Sequence, residues 1–303
     1  MRELLRSNET IVKWYDSIRE IYLQYLTSDE KLIKNRYKKR LGREVELKNP
    51  VRFNDKLQWL KLNWYDPIAA KCADKYEVRE IIKEKIGESY LNELIAVYDS
   101  VEDIDLDKLP NQFVLKTTHA SGYNIICKDR YTMRWDEEFM KMRRWLRTNY
   151  YLHNREWVYK NIKPRIICEK YLSEKEDQNS LTDYKFFCFN GEPIYCQVIR
   201  DRGKNETIDF YDTEWNHMPF NGLRELPMST TKYDKPNKYD EMIKLAKILA
   251  EGFPFVRVDF YYVNDRIIFG ELTFFPLSGM GKFTPDEWDY KLGELLQLPE
   301  LRK

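Results

Sequence analysis

Two acidic residues and one arginine near the end of the chain could hold a divalent cation. Asp259 and Glu271 lie within residues 255–275, where Val, Ile, Phe, Tyr and Thr predominate on both sides of a polar turn. Such a stretch predicts a β-hairpin. Because side chains alternate along a strand, a three- or five-residue turn centred on Asp265 would place both carboxylates directly opposite each other, on the face that also carries Arg257.

Opposed carboxylates need a positive charge between them. Like charges that face each other across two strands destabilise a sheet, so the pair favours a bound cation. Mg²⁺ is the natural candidate, because it prefers carboxylate oxygens and shares its remaining ligands with phosphates. The alternative is an exposed charge ladder in which Arg257 simply neutralises both acids. The residue types alone leave both interpretations open.

The composition excludes several classes of protein. The 303 residues include 51 Lys or Arg and 50 Asp or Glu, so the net charge of +1 gives no global field for binding nucleic acid. Five cysteines without a C-x-x-C pair argue against a disulfide scaffold or a zinc site and suit a reducing compartment. The first residues lack the apolar core of a signal peptide, and no run reaches the ~18 apolar residues of a membrane span. We therefore expect a cytoplasmic protein.

A second predicted hairpin could bind phosphate. Two apolar runs within residues 113–128 flank a polar loop centred on Ser121-Gly122. The small side chains would let backbone N–H groups approach phosphate oxygens, and either Lys116 or Lys128 could add a positive charge. The loop matches neither the Walker pattern nor the Rossmann glycine pattern.

The N-terminal part is predicted to be helical and is basic. An apolar period of helical type spans residues 9–41. Between residues 31 and 48 there are eight Lys or Arg and two Glu, a segment that could hold an anionic glycan or an anionic membrane surface. A solvent-exposed helix face is the simpler interpretation, because charged side chains are normally exposed.

Helices and strands alternate in the remainder of the chain. Cap and turn residues predict helices at residues 53–62, 66–87, 133–160, 240–250 and 285–298, and strands at 94–98, 165–168 and 209–221. Asn190-Gly191 predicts a further hairpin, because this dipeptide favours a two-residue turn. Residues 226–239 predict a mobile loop.

Several stretches resemble one known family. In order along the chain they are NPVRFNDKLQWLKLNWYDP, ADKYEVREII, FVLKTTHASGYNIICKD, CEKYL, DYKFFCFNGEP, VRVDF and FGELTFFPLSGMG, which together span residues 49–281. This ordered set resembles the ATP-grasp superfamily, and most closely the TupA-like ATP-grasp family associated with teichuronopeptide and capsular polysaccharide biosynthesis. The resemblance implies an α+β fold in which two α+β subdomains clasp ATP, with a helix-rich N-terminal domain. We expect these three units at residues 1–110 (N-terminal domain), 111–172 (lid subdomain) and 173–303 (subdomain with the metal site).

The resemblance also implies a role for each candidate residue. Lys75 and Lys116 would contact the phosphates of ATP, and the loop Thr117–Asn124, with Ser121 and Gly122, would cover them. Arg257 would face the transferred phosphoryl group and act in catalysis together with the two lysines. The remaining nucleotide contacts would come from an adenine-binding hinge (Glu169, Lys170 and Leu172), from Glu176 or Asp177 near the ribose, and from Lys185.

The implied metal site departs from the family pattern at one position. Asp259 and Glu271 would bind Mg²⁺ together with Thr273, which stands where ATP-grasp ligases usually carry an asparagine. A hydroxyl is a weaker ligand than an amide oxygen, so the sequence is compatible with one metal ion or two. His119, in the phosphate loop, either contacts phosphate or substrate or is a solvated loop residue.

The implied chemistry is the activation of a carboxylate. The resemblance indicates an Mg²⁺·ATP-dependent carboxylate–amine ligase that joins an amino acid or other amine to a uronic acid through an acyl phosphate, in capsular or cell-surface polysaccharide biosynthesis. Its partners would be a nucleotide, a uronic-acid-containing sugar or glycan and an amine, without nucleic acid, and with peripheral contact to membrane-bound glycan machinery. Two alternatives stay open. One is a kinase that phosphorylates a sugar or glycan on the same scaffold, and the other is a non-catalytic module that binds nucleotide or glycan.

Overall fold

Helices and antiparallel strands are mixed along the chain. The computed structural model describes residues 18–300, apart from residues 19, 174–180, 203 and 204. In this part of the protein, three antiparallel sheets are combined with helices, which confirms the predicted α+β class. None of the helices described is long and apolar enough to cross a membrane.

The N-terminal helices are shorter than the sequence predicts. Residues 20–25 are helical, and α1 (Asp29–Leu41) begins only after a break. Ser28 sets the start of α1, because its side chain accepts a hydrogen bond from the N–H of Lys31 and caps the helix. The single helix predicted over residues 9–41 is therefore wrong within the described residues, and residues 9–17 lie outside them. Three further helices are α2 (Phe53–Asn63), α3 (Pro67–Ala73) and α4 (Val78–Lys85).

A four-stranded antiparallel sheet carries the predicted phosphate loop. Its strands, in the order β1-β4-β2-β3, are β1 (Leu94–Tyr98), β2 (Phe113–Thr117), β3 (Asn124–Cys127) and β4 (Ile166–Lys170). Because β2 pairs directly with β3, the hairpin predicted within residues 113–128 is confirmed. We call this the small sheet.

The helix predicted over residues 133–160 is divided in the structure. Helix α5 (Trp135–Arg147) packs on the small sheet, where its buried Met142 belongs to one apolar cluster with Phe113 and Leu115. Helix α6 (Tyr151–Asn154) is short and ends at Arg155, whose φ of 60° is left-handed and cannot continue an α-helix. A 3₁₀ turn, Trp157–Tyr159, leads the chain towards β4.

A five-stranded antiparallel sheet forms the second layer, which we call the large sheet. The remaining strands are β5 (Asp183–Phe189), β6 (Glu192–Arg200), β7 (Thr207–Asp212), β8 (Asn221–Leu223), β9 (Phe255–Val263), β10 (Arg266–Thr273) and β11 (Lys282–Thr284). The large sheet has the order β10-β9-β5-β6-β7, whereas β8 and β11 pair with each other separately. The prediction that residues 209–221 continue one sheet is therefore right for β7 and wrong for β8. The Asn190-Gly191 hairpin between β5 and β6 is confirmed.

The hairpin of β9 and β10 has the predicted pairing of Asp259 with Glu271, but its turn and its strand geometry differ from the prediction. Asn264 and Asp265 form a two-residue turn with φ values of 49° and 58°, not the expected turn of three or five residues. A regular ladder from this turn would place Gly270 opposite Asp259. A β-bulge between Phe269 and Glu271 adds one residue, so Glu271 faces Asp259 after all.

The N-terminal helices pack on the large sheet. The ring of Phe53 in α2 lies within 6.5 Å of the rings of Phe187, Phe189, Phe255 and Phe283. Two more helices, α7 (Tyr239–Ala250) and α8 (Glu287–Leu295), belong to the same core. The three-unit division at residues 110 and 172 stays a prediction, although β1 lies before the first boundary and pairs with β4 beyond it.

Candidate active site

A buried arginine joins the two opposed acids. Arg257 Nε donates to Asp259 Oδ1 at 2.7 Å, and Arg257 Nη2 donates to Asp259 Oδ2 at 2.7 Å and to Glu271 Oε1 at 3.0 Å. Asp259 and Arg257 are only 3% and 9% exposed. The predicted juxtaposition of the carboxylates is therefore correct. Arg257 bonds to both acids, as the alternative interpretation expects, but the group is not an exposed ladder, because Arg257 and Asp259 are buried and only Glu271 is partly exposed.

A lysine on the neighbouring strand completes the row of charges. Lys185 of β5 pairs in register with Asp259, just as Asp259 pairs with Glu271 on its other side. The Lys185 ammonium donates to Asp259 Oδ2 and lies 3.1 Å from Asp183 Oδ1. Three adjacent strands thus hold Lys185, Asp259 and Glu271 side by side, an arrangement that the sequence order alone does not reveal.

The surrounding cations keep Glu271 ionised. Burial opposes the charged form, but Arg257, Lys185 and Lys75 outweigh it, and with the Thr273 hydroxyl they lower the pKa of Glu271 to about 2. Burial lowers the pKa of Lys75, and repulsion from the nearby charge of Lys116 lowers it further. An anionic ligand between these lysines would relieve that repulsion.

The small sheet supplies the second wall of the cleft. Lys116 Nζ lies 2.6 Å from Glu169 Oε2, and Arg79 Nη1 lies 3.0 Å from Glu169 Oε1. The Lys75 ammonium donates to the carbonyl of Ala120, in the phosphate loop. The structure therefore brings the two predicted phosphate-binding lysines to one place. Arg79 was missed by the sequence reasoning, although it lies in the quoted stretch ADKYEVREII.

The phosphate loop is only partly open. Ser121 and Gly122 line the cleft, whereas Thr118 and Ala120 are fully buried. His119 is also buried, and its Nε2 lies 3.1 Å from the carbonyl of Trp145. The predicted role of a solvated loop residue is therefore wrong, and burial lowers the pKa of His119. Contact with phosphate or substrate stays a prediction.

Three other candidates do not come together with this group. Lys128 follows β3 at the end of the hairpin away from the loop, so it is wrong as a phosphate ligand there. The Lys170 ammonium contacts Glu93 Oε2 at 3.0 Å, while its backbone carbonyl accepts from Asn92 Nδ2 at 2.9 Å. Leu172 follows β4 in an irregular segment. Glu176 and Asp177 lie outside the described residues.

Two cavities meet at the row of charges. The cleft between the sheets has a volume of about 230 Å³ and is lined by Lys75, Lys116, Glu169, Lys185, Asp259 and Glu271. A larger cavity of about 780 Å³ lies beside it, and Lys185 and Glu271 line both. Most of the charged residues that line the larger cavity are basic, among them Arg36, Lys39, Arg40, Arg202, Arg224 and Arg257. The basic segment of α1 thus faces a cavity in part, which favours the anion-binding interpretation of that segment.

The donor set suits a cation that arrives with a phosphate ligand. No group of three or more His, Cys, Asp or Glu able to hold a metal occurs within the described ranges. Mg²⁺ needs only one or two carboxylates when phosphate and water complete its shell, so the residues present fit it. Thr273 Oγ1 donates to Glu271 Oε1 at 2.8 Å and accepts from Arg257 Nη2 at 3.1 Å, so Thr273 is in place beside both.

Comparison with known families agrees with this geometry. A lysine-lined cleft lies between two antiparallel sheets, with opposed acids on the larger sheet, which is the arrangement that the ATP-grasp resemblance implies. The family model described as TupA-like ATPgrasp matches residues 55–297, so the chain belongs to the TupA-like ATP-grasp family. A comparison with curated proteins found no match.

The chain is also similar to solved structures, at low identity. A D-alanine–D-alanine ligase from Bacillus anthracis complexed with ATP is 16% identical with a TM-score of 0.38, covering 75% of this chain and 57% of that one. The corresponding ligase from Helicobacter pylori is 13% identical with a TM-score of 0.40, covering 81% and 69%. The ATP-grasp ligase PsnB, complexed with a phosphomimetic variant of its minimal precursor, Mg and ADP, is 10% identical with a TM-score of 0.41, covering 80% and 64%. The chain thus spans less than three fifths of the Bacillus anthracis enzyme.

Proposed function

We propose that the protein is an Mg²⁺·ATP-dependent carboxylate–amine ligase. The observation that carries the proposal is the meeting of two cavities at Glu271 and Lys185. A nucleotide in the lysine-lined cleft would present its terminal phosphate at this junction, and a second substrate in the larger cavity would reach the same point. Transfer between two bound molecules needs such a shared boundary.

The charges at the junction suit the attack of one anion on another. A carboxylate that attacks the γ-phosphorus gives an acyl phosphate and ADP, and the barrier is largely electrostatic. Lys75 and Lys116 would neutralise the phosphates, and Arg257 would stabilise the transferring group. Mg²⁺ held by Asp259, Glu271 and Thr273 would add Lewis-acid charge neutralisation. Acyl phosphates hydrolyse readily, and Ser121 and Gly122 at the cavity boundary would help to exclude water.

The remaining nucleotide contacts are part of the same proposal. Glu169, with Lys170 and Leu172 further along the chain, would form the adenine-binding hinge, and Lys185 would touch the phosphates. The small sheet would act as the lid over the nucleotide.

The second substrate is proposed to be a uronic-acid-containing sugar or glycan. The basic wall of the larger cavity supports an anionic acceptor, since Lys39, Arg40 and Arg224 project into it from two different segments. We place the reaction in the cytoplasm, in capsular or cell-surface polysaccharide biosynthesis and in peripheral contact with membrane-bound glycan machinery.

The test is a screen for ADP release with three components. Glucuronate, galacturonate and UDP-glucuronate would each be combined with Mg²⁺·ATP and each of the common amino acids, and products followed by mass spectrometry. The proposal predicts ADP, free phosphate and an amide in equal amounts, only when both carboxylate and amine are present. A phosphorylated sugar without free phosphate would show a kinase. No ADP with any combination would favour the non-catalytic module.

A further inference from the structure

A buried carboxylate lies in the larger cavity apart from the acids of the metal site. Glu156 follows the short helix α6, is 6% exposed and lines the cavity together with Asn154 and Tyr159. Burial raises the pKa of Glu156, and the nearby charge of Lys61 only partly opposes this effect. A buried acid needs hydrogen-bonding or charged partners to offset the loss of hydration.

The hydrogen bonds of Lys61 go to uncharged oxygens. Its ammonium donates to Gln58 Oε1 at 3.0 Å, to the carbonyl of Asn154 at 3.1 Å and to the carbonyl of Ser278 at 2.7 Å. An ammonium has three donors, so these bonds use all of them. The charge of Lys61 therefore favours the ionised form of Glu156 without a hydrogen bond to its carboxylate.

A constrained turn presents a hydroxyl to Glu156. Leu277, Ser278 and Gly279 have φ values of 45°, 57° and 61°, a left-handed run that costs free energy unless the surroundings enforce it. Helix α2 enforces it, because Gln58 Nε2 donates to the carbonyls of Ser278 at 3.0 Å and Gly279 at 2.6 Å. A Cβ at Gly279 would lie 2.4 Å from Gln58 Nε2, so only glycine fits.

The turn places polar groups around one oxygen. Ser278 Oγ donates to Glu156 Oε1 and accepts from Asn154 Nδ2, which lies 2.9 Å away. A carboxylate and a hydroxyl oxygen at the edge of a cavity are acceptors for a cationic N–H group. The other charged groups of the wall are mostly cations, which would hold the anionic acceptor and would repel an ammonium.

We propose that Glu156 and Ser278 form the binding site for the amine substrate, which enters as an ammonium. This inference rests on the ligase function proposed above. Tyr159 links the site to the reacting centre, since it lines both cavities and its hydroxyl lies within electrostatic range of Glu156, Glu271 and Arg257. An amine held at Glu156 would therefore approach the acyl group from the side of the larger cavity.

The site also accounts for the proton that must leave the amine. The ammonium gives one proton to the Glu156 carboxylate, and the freed lone pair forms the C–N bond to the carbonyl carbon of the acyl phosphate. The bond from that carbon to the phosphate oxygen breaks, and its electron pair leaves with phosphate. The second N–H proton also departs with phosphate, and Glu156 returns its proton to water. A general base with a raised pKa is suited to this task near neutral pH.

Hydroxylamine separates the amine site from the rest of the reaction. Its nitrogen is largely uncharged at neutral pH, so it traps an acyl phosphate as a hydroxamate without needing an ammonium site. Wild type, Glu156→Gln and the control Glu287→Gln, an exposed acid paired with Lys291, would be assayed with ATP and glucuronate. The nucleophile would be either hydroxylamine or the amino acid that supports the fastest ADP release by wild type.

For Glu156→Gln we expect the KM for the amino acid to rise about tenfold or more, since a hydrogen bond to a charged group is worth roughly that factor. Hydroxamate formation should fall much less than amide formation. An unchanged KM, or an equal loss of hydroxamate and amide, would overturn the inference. If Glu156→Gln does not fold, Ser278→Ala is measured in the same assay. An unchanged KM of Ser278→Ala for the amino acid would then refute the proposed amine-binding site. Absence of hydroxamate with wild type would instead refute the ligase function itself.

Discussion

Asp259 and Glu271 face each other only because Gly270 is an extra residue in β10. The two-residue turn of the hairpin would otherwise pair Asp259 with Gly270. The bulge also increases the local twist of the strand. The metal site proposed here therefore depends on one glycine as much as on its two acids.

Substitution of that glycine tests the dependence. A Cβ at Gly270 would lie 3.1 Å from the carbonyl oxygen of Asp259, so Gly270→Ala must push the strands apart by a few tenths of an ångström. We expect the KM for Mg²⁺·ATP to rise several-fold, with a stability loss of about 1 kcal/mol. Ile268→Val, on the same strand, should lose a similar stability through a smaller side chain and leave the KM unchanged. Equal KM values for the two variants would show that the bulge does not set the site.

Removal of Asp259 should destabilise the protein. Asp259 is bonded to both Arg257 and Lys185, so Asp259→Ala removes a shared acid from two buried cations and leaves Arg257 only Glu271 and Lys185 only Asp183. The expected loss is about 3 kcal/mol in urea unfolding, in addition to the loss of turnover. Asp240→Ala, an exposed acid paired with Lys235, should stay within about 0.5 kcal/mol of wild type. A variant at position 259 as stable as this control would mean that the buried pairs contribute nothing.

The stability that Glu271 supplies should depend on pH. Its folded pKa of about 2 lies below the ordinary value of 4.5, so the ionised form is favoured by folding. The contribution is complete above about pH 4.5, declines below it and is lost as the pH falls through about 2. The side chain is 36% exposed, so solvent screening reduces the effect to about 1–2 kcal/mol.

Urea unfolding of wild type and Glu271→Gln at a series of pH values measures this contribution. The difference in the free energy of unfolding should be largest at neutral pH and should shrink between pH 4.5 and 2. A difference that does not change over this range would contradict the charge assignment.

The basic wall should govern the acceptor and not the nucleotide. The double variant Lys39→Ala/Arg40→Ala should raise the KM for an anionic acceptor such as UDP-glucuronate roughly tenfold, and should weaken its dependence on salt. The KM for ATP should not change. Lys34→Ala, on the same helix but paired with Glu30, is the matched control. If the double variant and the control behave alike, the acceptor does not bind along α1.

Local patterns predicted much of the fold. The hairpins at Ser121-Gly122, Asn190-Gly191 and Asn264-Asp265 follow from turn residues between apolar runs, and all three form. The bulge at Gly270 did not follow, because the sequence shows only an even spacing between Asp259 and Glu271. The prediction assumed a longer turn and a regular strand, and the effects of these two errors on the register cancelled each other.

Relations between distant segments were not predictable in the same way. Lys185 bonds to Asp259 because β5 lies beside β9. The two residues are 74 positions apart in the sequence, so their contact depends on how the whole sheet assembles. The burial of His119 was not predicted for a similar reason, since its partner, the carbonyl of Trp145, belongs to the distant helix α5. Glu156 carried no sequence signal, because its site exists only where α6 meets the turn at Ser278.

The most direct test of the ligase mechanism follows one oxygen atom. Glucuronate labelled with oxygen-18 in its carboxyl group would be incubated with Mg²⁺·ATP, the amino acid substrate and the enzyme, and the released phosphate analysed by mass spectrometry. Attack of the carboxylate on the γ-phosphorus predicts one labelled oxygen in each phosphate and one left in the amide. Phosphate without the label, or a labelled carboxyl group retained intact in a phosphorylated sugar, would contradict the account.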